Sequence, residues 1–311
     1  MEVKRYDVII LGGGAAGMTA GIYLGRSKAK VVILDAGTIG GQMVLTYEIA
    51  NYPGVELTTG YQLSSTMKKQ AKSFGCDIKP GVKISAFELE GEEKSVTVGD
   101  IIYKAPAIIL ATGGRSRMLN VPGELEFKGR GISYCATCDG DFFQDKEIIV
   151  VGGGNSALEE AVALTKYASK VTILHEFDHF QAFEHAVEEA KQNPKIDFIM
   201  ESHITEFSGD ESLRMVKYKN LKTGDIHEKS IDGVFIFIGY EANTDMLKDT
   251  AVELNKWNEI VANEKMETNL TGVYTAGDCR HKQFRQITTA VADGTIAALN
   301  ALHFVHNKTT K

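Results

Sequence analysis

Tyr6-Asp7-Val8-Ile9-Ile10-Leu11-Gly12-Gly13-Gly14-Ala15-Ala16-Gly17 is the stretch that decides the fold. Four apolar residues in a row, Val8 to Leu11, read as a strand buried on both faces. Gly12, Gly14 and Gly17 fit G-x-G-x-x-G. Glycines there allow a tight turn, close approach of backbone to a pyrophosphate, and close packing of helix on strand. The helix N-terminus that follows favours phosphate. Met18, Ile22, Tyr23 and Leu24 continue at helical spacing, and Lys30-Val31-Val32-Ile33-Leu34 is a second buried strand closed by Asp35. An acid about 20 residues after the glycines suits a ribose hydroxyl. Strand, loop, helix and strand in this order belong to a parallel sheet.

Further along, the pattern recurs. Glu147-Ile148-Ile149-Val150-Val151 runs into Gly152-Gly153-Gly154-Asn155-Ser156-Ala157, the G-x-G-x-x-A form. A helical pattern spans Leu158 to about Tyr167, and the strand Lys170-Val171-Thr172-Ile173-Leu174 ends at His175-Glu176. A carboxylate at Glu176 accepts hydrogen bonds from a ribose with a free 2′-hydroxyl and repels a 2′-phosphate. Between the two units Ala107-Ile108-Ile109-Leu110-Ala111-Thr112-Gly113-Gly114 is another strand ending in glycines. It is matched by Val234-Phe235-Ile236-Phe237-Ile238-Gly239, and Gly272 to Asp278 plus a helix from Ile287 to about Leu302 close the chain. Polar crossings lie at 115–124 and near Glu241-Ala242-Asn243. The expected fold is α/β, with two Rossmann-like dinucleotide-binding domains and the second inserted into the first. Residues 1–117 and 247–311 form one domain and 118–246 the other.

The 311 residues are 43% hydrophobic and 24% charged, with a formal net charge of -7. That balance supports buried cores and disfavours nucleic acid or an anionic membrane, both of which need a basic face. No stretch approaches the roughly 20 apolar residues that span a bilayer. The N-terminus runs directly into a strand and does not read as a signal peptide. Four cysteines in a chain of this length make no disulfide scaffold. A cytoplasmic location is expected, where a disulfide is more often catalytic than structural.

Cys135-Ala136-Thr137-Cys138-Asp139 lies just upstream of the second glycine loop. Two cysteines two residues apart can close a small, reducible disulfide. A zinc site usually needs two more ligands, and Cys76 and Cys279 stand alone; no metal is expected. Two packed, inert thiols are the other alternative. Redox use is favoured by the acid at Asp139 and the adjoining dinucleotide loop. Cys76 and Cys279 read as packed thiols, and His175, His179 and His185 as packed or solvated rather than ligating.

With these residues in hand, the chain resembles the low-molecular-weight thioredoxin reductases over nearly its whole length. The N-terminal glycine loop, Gly40-Gly41-Gln42, Asn51-Tyr52-Pro53-Gly54, Ala111-Thr112-Gly113, Gly129-Arg130-Gly131, the Cys135–Cys138 segment, Gly152 to Ala157, Thr275-Ala276-Gly277-Asp278 and Arg285-Gln286 occur in that family's order. The resemblance implies FAD on the first domain, held by Gly12, Gly14, Ala15, Ala16, Gly17, Asp35, Gly41, Gln42, Asn51, Thr112, Gly277, Asp278, Arg285 and Gln286. It implies a nicotinamide cofactor on the second, near Gly152, Gly154, Asn155, Ser156, Ala157 and Glu176. It further implies a homodimer that reduces thioredoxin or a thioredoxin-like protein, with contacts near Arg130, Phe142 and Phe143. Cys138 would face the flavin, Cys135 would attack the partner's disulfide, and Asp139 would supply a proton.

Two departures bear on these implications. Asp141 breaks the family's pattern beside Phe142 and Phe143. His175-Glu176-Phe177-Asp178-His179-Phe180-Gln181 lacks the three arginines with which NADPH-binding relatives clamp the 2′-phosphate. NADH is therefore expected as donor and NADPH disfavoured; the Glu176-Phe177 pair resembles the NADH-using flavoprotein of alkyl hydroperoxide reductase. The alternatives are the same disulfide reductase fed by ferredoxin or a deazaflavin, and a flavin-disulfide redox sensor with little turnover. Because disulfide and nicotinamide both need the flavin, a domain rotation between the two steps is expected.

Overall fold

Val8–Leu11 is the centre of a five-stranded parallel sheet in the order Val273–Thr275, Ala107–Leu110, Val8–Leu11, Val31–Leu34, Asp77–Lys79. The computed structural model in which this is seen describes residues 1–46 and 49–309. Among them the α-helices are α1 (Ala15–Arg26), α2 (Gly60–Ser73), α3 (Glu124–Phe127), α4 (Ala136–Asp139), α5 (Asn155–Leu164), α6 (Glu184–Gln192) and α7 (Ile287–Thr309). The chain divides into two compact units, Met1–Arg115 with Glu241–Lys311, and Ser116–Tyr240.

The unbroken apolar runs follow from burial of the sheet on both faces. In the first unit Val8, Ile10, Val31, Ile33 and Ile109 pack with residues of α1, α2 and α7. Their neighbours Ile9, Leu11, Val32, Leu34, Ile108 and Leu110 point the opposite way, against Leu89 and against Val96 and Tyr103 of a second sheet. That second sheet pairs Glu2–Arg5, Ile101–Ala105, Lys94–Val98 and Ile84–Glu88. Every residue of Val8–Leu11 is at most 1% exposed, and each such side chain contributes about 1.5–3 kcal/mol by leaving water.

The second unit repeats this plan. Ile132–Ser133, Gly233–Ile236, Glu147–Val151, Lys170–Leu174 and Ile196–Ile199 form a parallel sheet. Ile148, Val150, Val171, Ile173 and Phe235 pack with α5 and α6. Ile149, Val151, Leu174, Val234 and Ile236 pack on Ile204, Phe207, Leu213 and Val216, from a three-stranded antiparallel sheet, Ser202–Gly209, Leu213–Asn220 and Ile226–Ser230. Each unit is thus helices, parallel sheet and a smaller sheet in three layers, the α/β class expected.

Some boundaries moved. α5 ends at Leu164 rather than near Tyr167, and α7 runs on to Thr309. The strands of the small third-layer sheets are only partly buried and lack the unbroken apolar runs that mark the parallel strands.

Candidate active site

Cys135 and Cys138 are joined in a disulfide, their Cα atoms 5.3 Å apart. The strand Ile132–Ser133 is anchored in the sheet by Phe235 and Val234, and α4 starts directly after Cys135. The Cys135 carbonyl accepts the N–H groups of Cys138 (3.3 Å) and Asp139 (3.2 Å), which closes the loop. Thr137 Oγ1 lies 3.4 Å from Cys135 Sγ. The Ser133 hydroxyl donates to Asp139 Oδ2 at 2.5 Å and accepts the Cys135 N–H at 3.1 Å. Tyr134 donates its hydroxyl to the buried Glu124 (2.7 Å), whose carboxylate also accepts the N–H groups of Leu119 and Asn120. Bonds to a charged acceptor contribute about 1.5–3 kcal/mol each, so the chain on the N-terminal side of Cys135 is firmly held.

The first glycine loop is shaped by close approach. A Cβ on Gly12 would lie 2.2 Å from the Ala111 carbonyl oxygen, and one on Gly17 would lie 1.9 Å from that of Gly12. Gly14 differs: a Cβ there would meet nothing nearer than Gly41 Cα at 4.0 Å. The backbone between β-strand and helix is therefore open on that side. Asp35 accepts the N–H groups of Gly13 (2.5 Å) and Gly37 (2.7 Å), which leaves lone pairs for a further donor. Asn51 donates to Gln286 (3.4 Å). Gln42 is exposed, and a Cβ on Gly277 would lie 2.9 Å from Ala16 Cβ. Thr112 Oγ1 is buried with no hydrogen-bond partner among the described residues. Gly41, Ala111, Thr112 and Gly277 thus lie close to the first glycine loop and the start of α1.

The second loop shares this design. Gly152 has φ +139°, and a Cβ would lie 2.3 Å from the Phe237 carbonyl oxygen; Gly154 opens to nothing nearer than the Gln181 oxygen at 4.0 Å. Asn155 accepts the Phe183 N–H (2.7 Å), and Gln181 donates its N–H to the Gly153 carbonyl (2.8 Å). Ala157 is buried, while Ser156 and Glu176 are exposed. Among the described residues no side chain caps α1 or α5, the two helices that follow the glycine loops, whereas α2 carries a full Thr59–Gln62 capping box. Orphan N–H groups at a helix start suit an anionic ligand. His175 is buried against Gly153 with Nε2 3.1 Å from the His179 carbonyl. Burial holds its pKa below the usual value.

Phe143 is buried, edge-on to Phe235 at 5.1 Å, because Gly233 leaves room for its ring. Of Arg130, Phe142 and Phe143, only the first two offer exposed surface.

Sequence reading missed a charged cluster behind Asp278. Asp293 of α7 accepts from Arg280 (3.0 and 3.1 Å), Lys282 (2.7 Å) and the Gly277 N–H (3.1 Å). Lys282 Nζ lies 3.9 Å from Asp278, whose carboxyl is pushed up by burial. Glu259, also buried, pairs with Arg285 and with His281 at 2.9 Å. The one available signal was a lone acid, Asp293, inside an otherwise small and apolar helical stretch.

Two dinucleotide-type units, one bearing a C-x-x-C disulfide, define a disulfide oxidoreductase. The match to the pyridine nucleotide-disulphide oxidoreductase family extends over residues 6–294, and the chain belongs to that family. It is 44% identical over 307 residues to the thioredoxin reductase of Peptoclostridium acidaminophilum, covering 96% of this chain and 97% of that protein. It is 42% identical to a 34.2 kDa protein in the rubredoxin operon of Clostridium pasteurianum, covering 99% of each. The crystal structure of thioredoxin reductase from Streptococcus pyogenes superposes with a TM-score of 0.93 at 40% identity, covering 97% of this chain and 99% of that one.

Proposed function

We propose that the protein is an FAD-dependent thioredoxin-disulfide reductase that takes its electrons from NADH. The net reaction is NADH + H⁺ + thioredoxin disulfide giving NAD⁺ + thioredoxin dithiol. The observation that carries this reading is the Cys135–Cys138 disulfide beside Asp139 in a unit that also holds the Gly152 loop.

The residues present fit FAD. The open backbone at Gly14 admits a pyrophosphate against the uncapped start of α1, and the buried Thr112 hydroxyl has a bond to give. Gly12, Gly14, Ala15, Ala16 and Gly17 would line the diphosphate and Asp35 the ribose. Gly41, Gln42, Asn51, Thr112, Gly277, Asp278, Arg285 and Gln286 would line the rest. When bound, FAD supplies the electron store between a two-electron donor and the disulfide. Cys138 is the sulfur that receives electrons first, Asp139 holds the proton that converts its thiolate to thiol, and Cys135 attacks the disulfide of the substrate protein. Arg130 and Phe142 are exposed and would be groups that thioredoxin meets. A reducing cytoplasm suits a disulfide that is reopened at every turnover, and the active form would be a homodimer.

The donor preference rests on Glu176. Gly154 and the uncapped α5 accept any dinucleotide diphosphate, but an exposed carboxylate at the strand end accepts a ribose hydroxyl and opposes a phosphate. Such like-charge juxtaposition costs several kcal/mol. Stopped-flow bleaching of the flavin by NADH, NADPH and reduced ferredoxin, side by side, tests the reading. We expect NADH to exceed NADPH by about a hundredfold in second-order rate constant, and Glu176→Arg to narrow the ratio. Reduction by ferredoxin alone would transfer the reading to the other donor. Cys135→Ser should leave the flavin reducible and pass nothing to thioredoxin; multiple turnovers with thioredoxin in that variant, or none in the parent with any donor, would sink the reductase.

A further inference from the structure

We propose that the Ser133 hydroxyl is the partner through which Asp139 changes protonation state, which makes Ser133 a positioning residue for the acid beside the disulfide. The proposal deepens the reductase reading and rests on Asp139 acting as its acid.

A group that alternates between acid and base must have its hydrogen bonds satisfied in both states, because a buried unmade bond is costly. Ser133 provides for both. It is 5% exposed and fixed in the parallel sheet opposite Phe235. Its oxygen lies 2.5 Å from Asp139 Oδ2, accepts the Cys135 N–H at 3.1 Å, and lies 3.4 Å from the Cys135 carbonyl as a second place to donate. With Asp139 ionised, the hydroxyl donates to the carboxylate and accepts from Cys135 N–H. With Asp139 protonated, the acid O–H donates to Ser133, the Cys135 N–H fills the second lone pair, and the hydroxyl proton turns to the Cys135 carbonyl as a third, longer contact beside the Cys138 and Asp139 N–H groups. One donor and two lone pairs are used in full each time.

The proton count closes. Opening the S–S bond to two thiols consumes two electrons and two protons. One of these protons would come with the electron pair that a bound flavin would supply, and Asp139 gives the other to the Cys138 thiolate. Asp139 is then an anion to which Ser133 donates its hydrogen bond, and it takes up the solvent proton of the net reaction before the next turnover.

The titratable groups around this pair are Asp141 on the following turn, Glu159 and Glu160 on α5, which packs on α4, and Tyr134 with Glu124 and Lys128 on the approach to Cys135. Glu160 is half-buried and its carboxyl is pushed up by burial and then by Glu159. Lys128 is half-buried over the Tyr134 ring, and burial lowers its pKa.

A donor to an ionised carboxylate is worth roughly twice a bond between neutral groups. Removing the hydroxyl therefore disfavours the anion more than the acid and raises the pKa of Asp139. The test reads the protonated-carboxyl infrared stretch of Asp139 against pH in the oxidised holoprotein, isolated by subtraction of Asp139→Asn. We expect its midpoint to rise by about one pH unit in Ser133→Ala and to return to the parent value in Ser133→Thr, with circular dichroism unchanged in both. The high-pH limb of electron transfer into the disulfide should move with it, since the rate needs the protonated form and is lost as pH rises through its pKa. An unmoved midpoint in Ser133→Ala overturns the role of Ser133 alone. A parent-like pH profile in Asp139→Asn overturns the acid reading beneath it.

Discussion

Cys76 and Cys279 show how burial separates inert thiols from the reacting pair. Both are buried, and the Cys76 thiol donates to the Gly21 carbonyl at 2.8 Å. Burial pushes its pKa up to about 11. The nucleophile is the thiolate, so at neutral pH Cys76 should not react with a thiol reagent in the oxidised native protein. Its labelling rate should climb about tenfold per pH unit toward that value. Rapid labelling at neutral pH would contradict the packing. The linkage has a definite sign. The folded pKa lies above the unfolded one, so this group's contribution to stability is complete below the unfolded pKa. It is lost as pH rises through the folded value near 11. At the same scale, spacing made the Cys135–Cys138 pair and Asp139 legible. It gave no indication of Ser133, whose hydroxyl reaches Asp139 only because strand and helix fold back on each other.

The strand–glycine–helix element occurs twice, and its glycines do different work. Gly152 at φ +139°, with a carbonyl oxygen 2.3 Å from where its Cβ would sit, cannot take a side chain without moving backbone. Gly154, at φ -90°, has open space. Gly152→Ala should destabilise the protein by about 2 kcal/mol or more. Gly154→Ala should fold within about 0.5 kcal/mol of the parent and, on the proposed reading, lose about tenfold or more in NADH affinity, because the methyl would occupy the approach of the diphosphate. Thermal melting and NADH titration together separate the two effects, and equal NADH binding in Gly154→Ala would contradict a nucleotide site there. The same contrast holds at Gly12 and Gly14. Glycine spacing and strand hydrophobicity made this element readable in advance. The clamp of Asp293 on Arg280, Lys282 and Gly277 was not, since it joins a helix to a loop 11 to 16 residues earlier through side-chain direction alone.

At the scale of the molecule, two units of one three-layer plan are built from interleaved stretches of a single chain. Each closes its own core on both faces of its parallel sheet, and only one carries the redox disulfide. An anaerobic dithionite titration of the holoprotein should therefore take up two electrons more per chain than the Cys135→Ser, Cys138→Ser double variant. Equal uptake would mean that the disulfide exchanges no electrons with the flavin. The sequence by itself determined the α/β class, the doubling of the dinucleotide unit, the cysteine pair and the acid at Glu176. These are properties of local pattern: runs of buried strand residues, glycines that only a tight turn requires, and the charge of a side chain at a strand end. Tertiary structure alone decided that Phe143 belongs to the core, that Gly14 and Gly154 face open space while Gly12 and Gly152 do not, and that Ser133 touches Asp139. Each of those depends on atoms brought together by packing, and packing distance is not encoded in the spacing of any one segment.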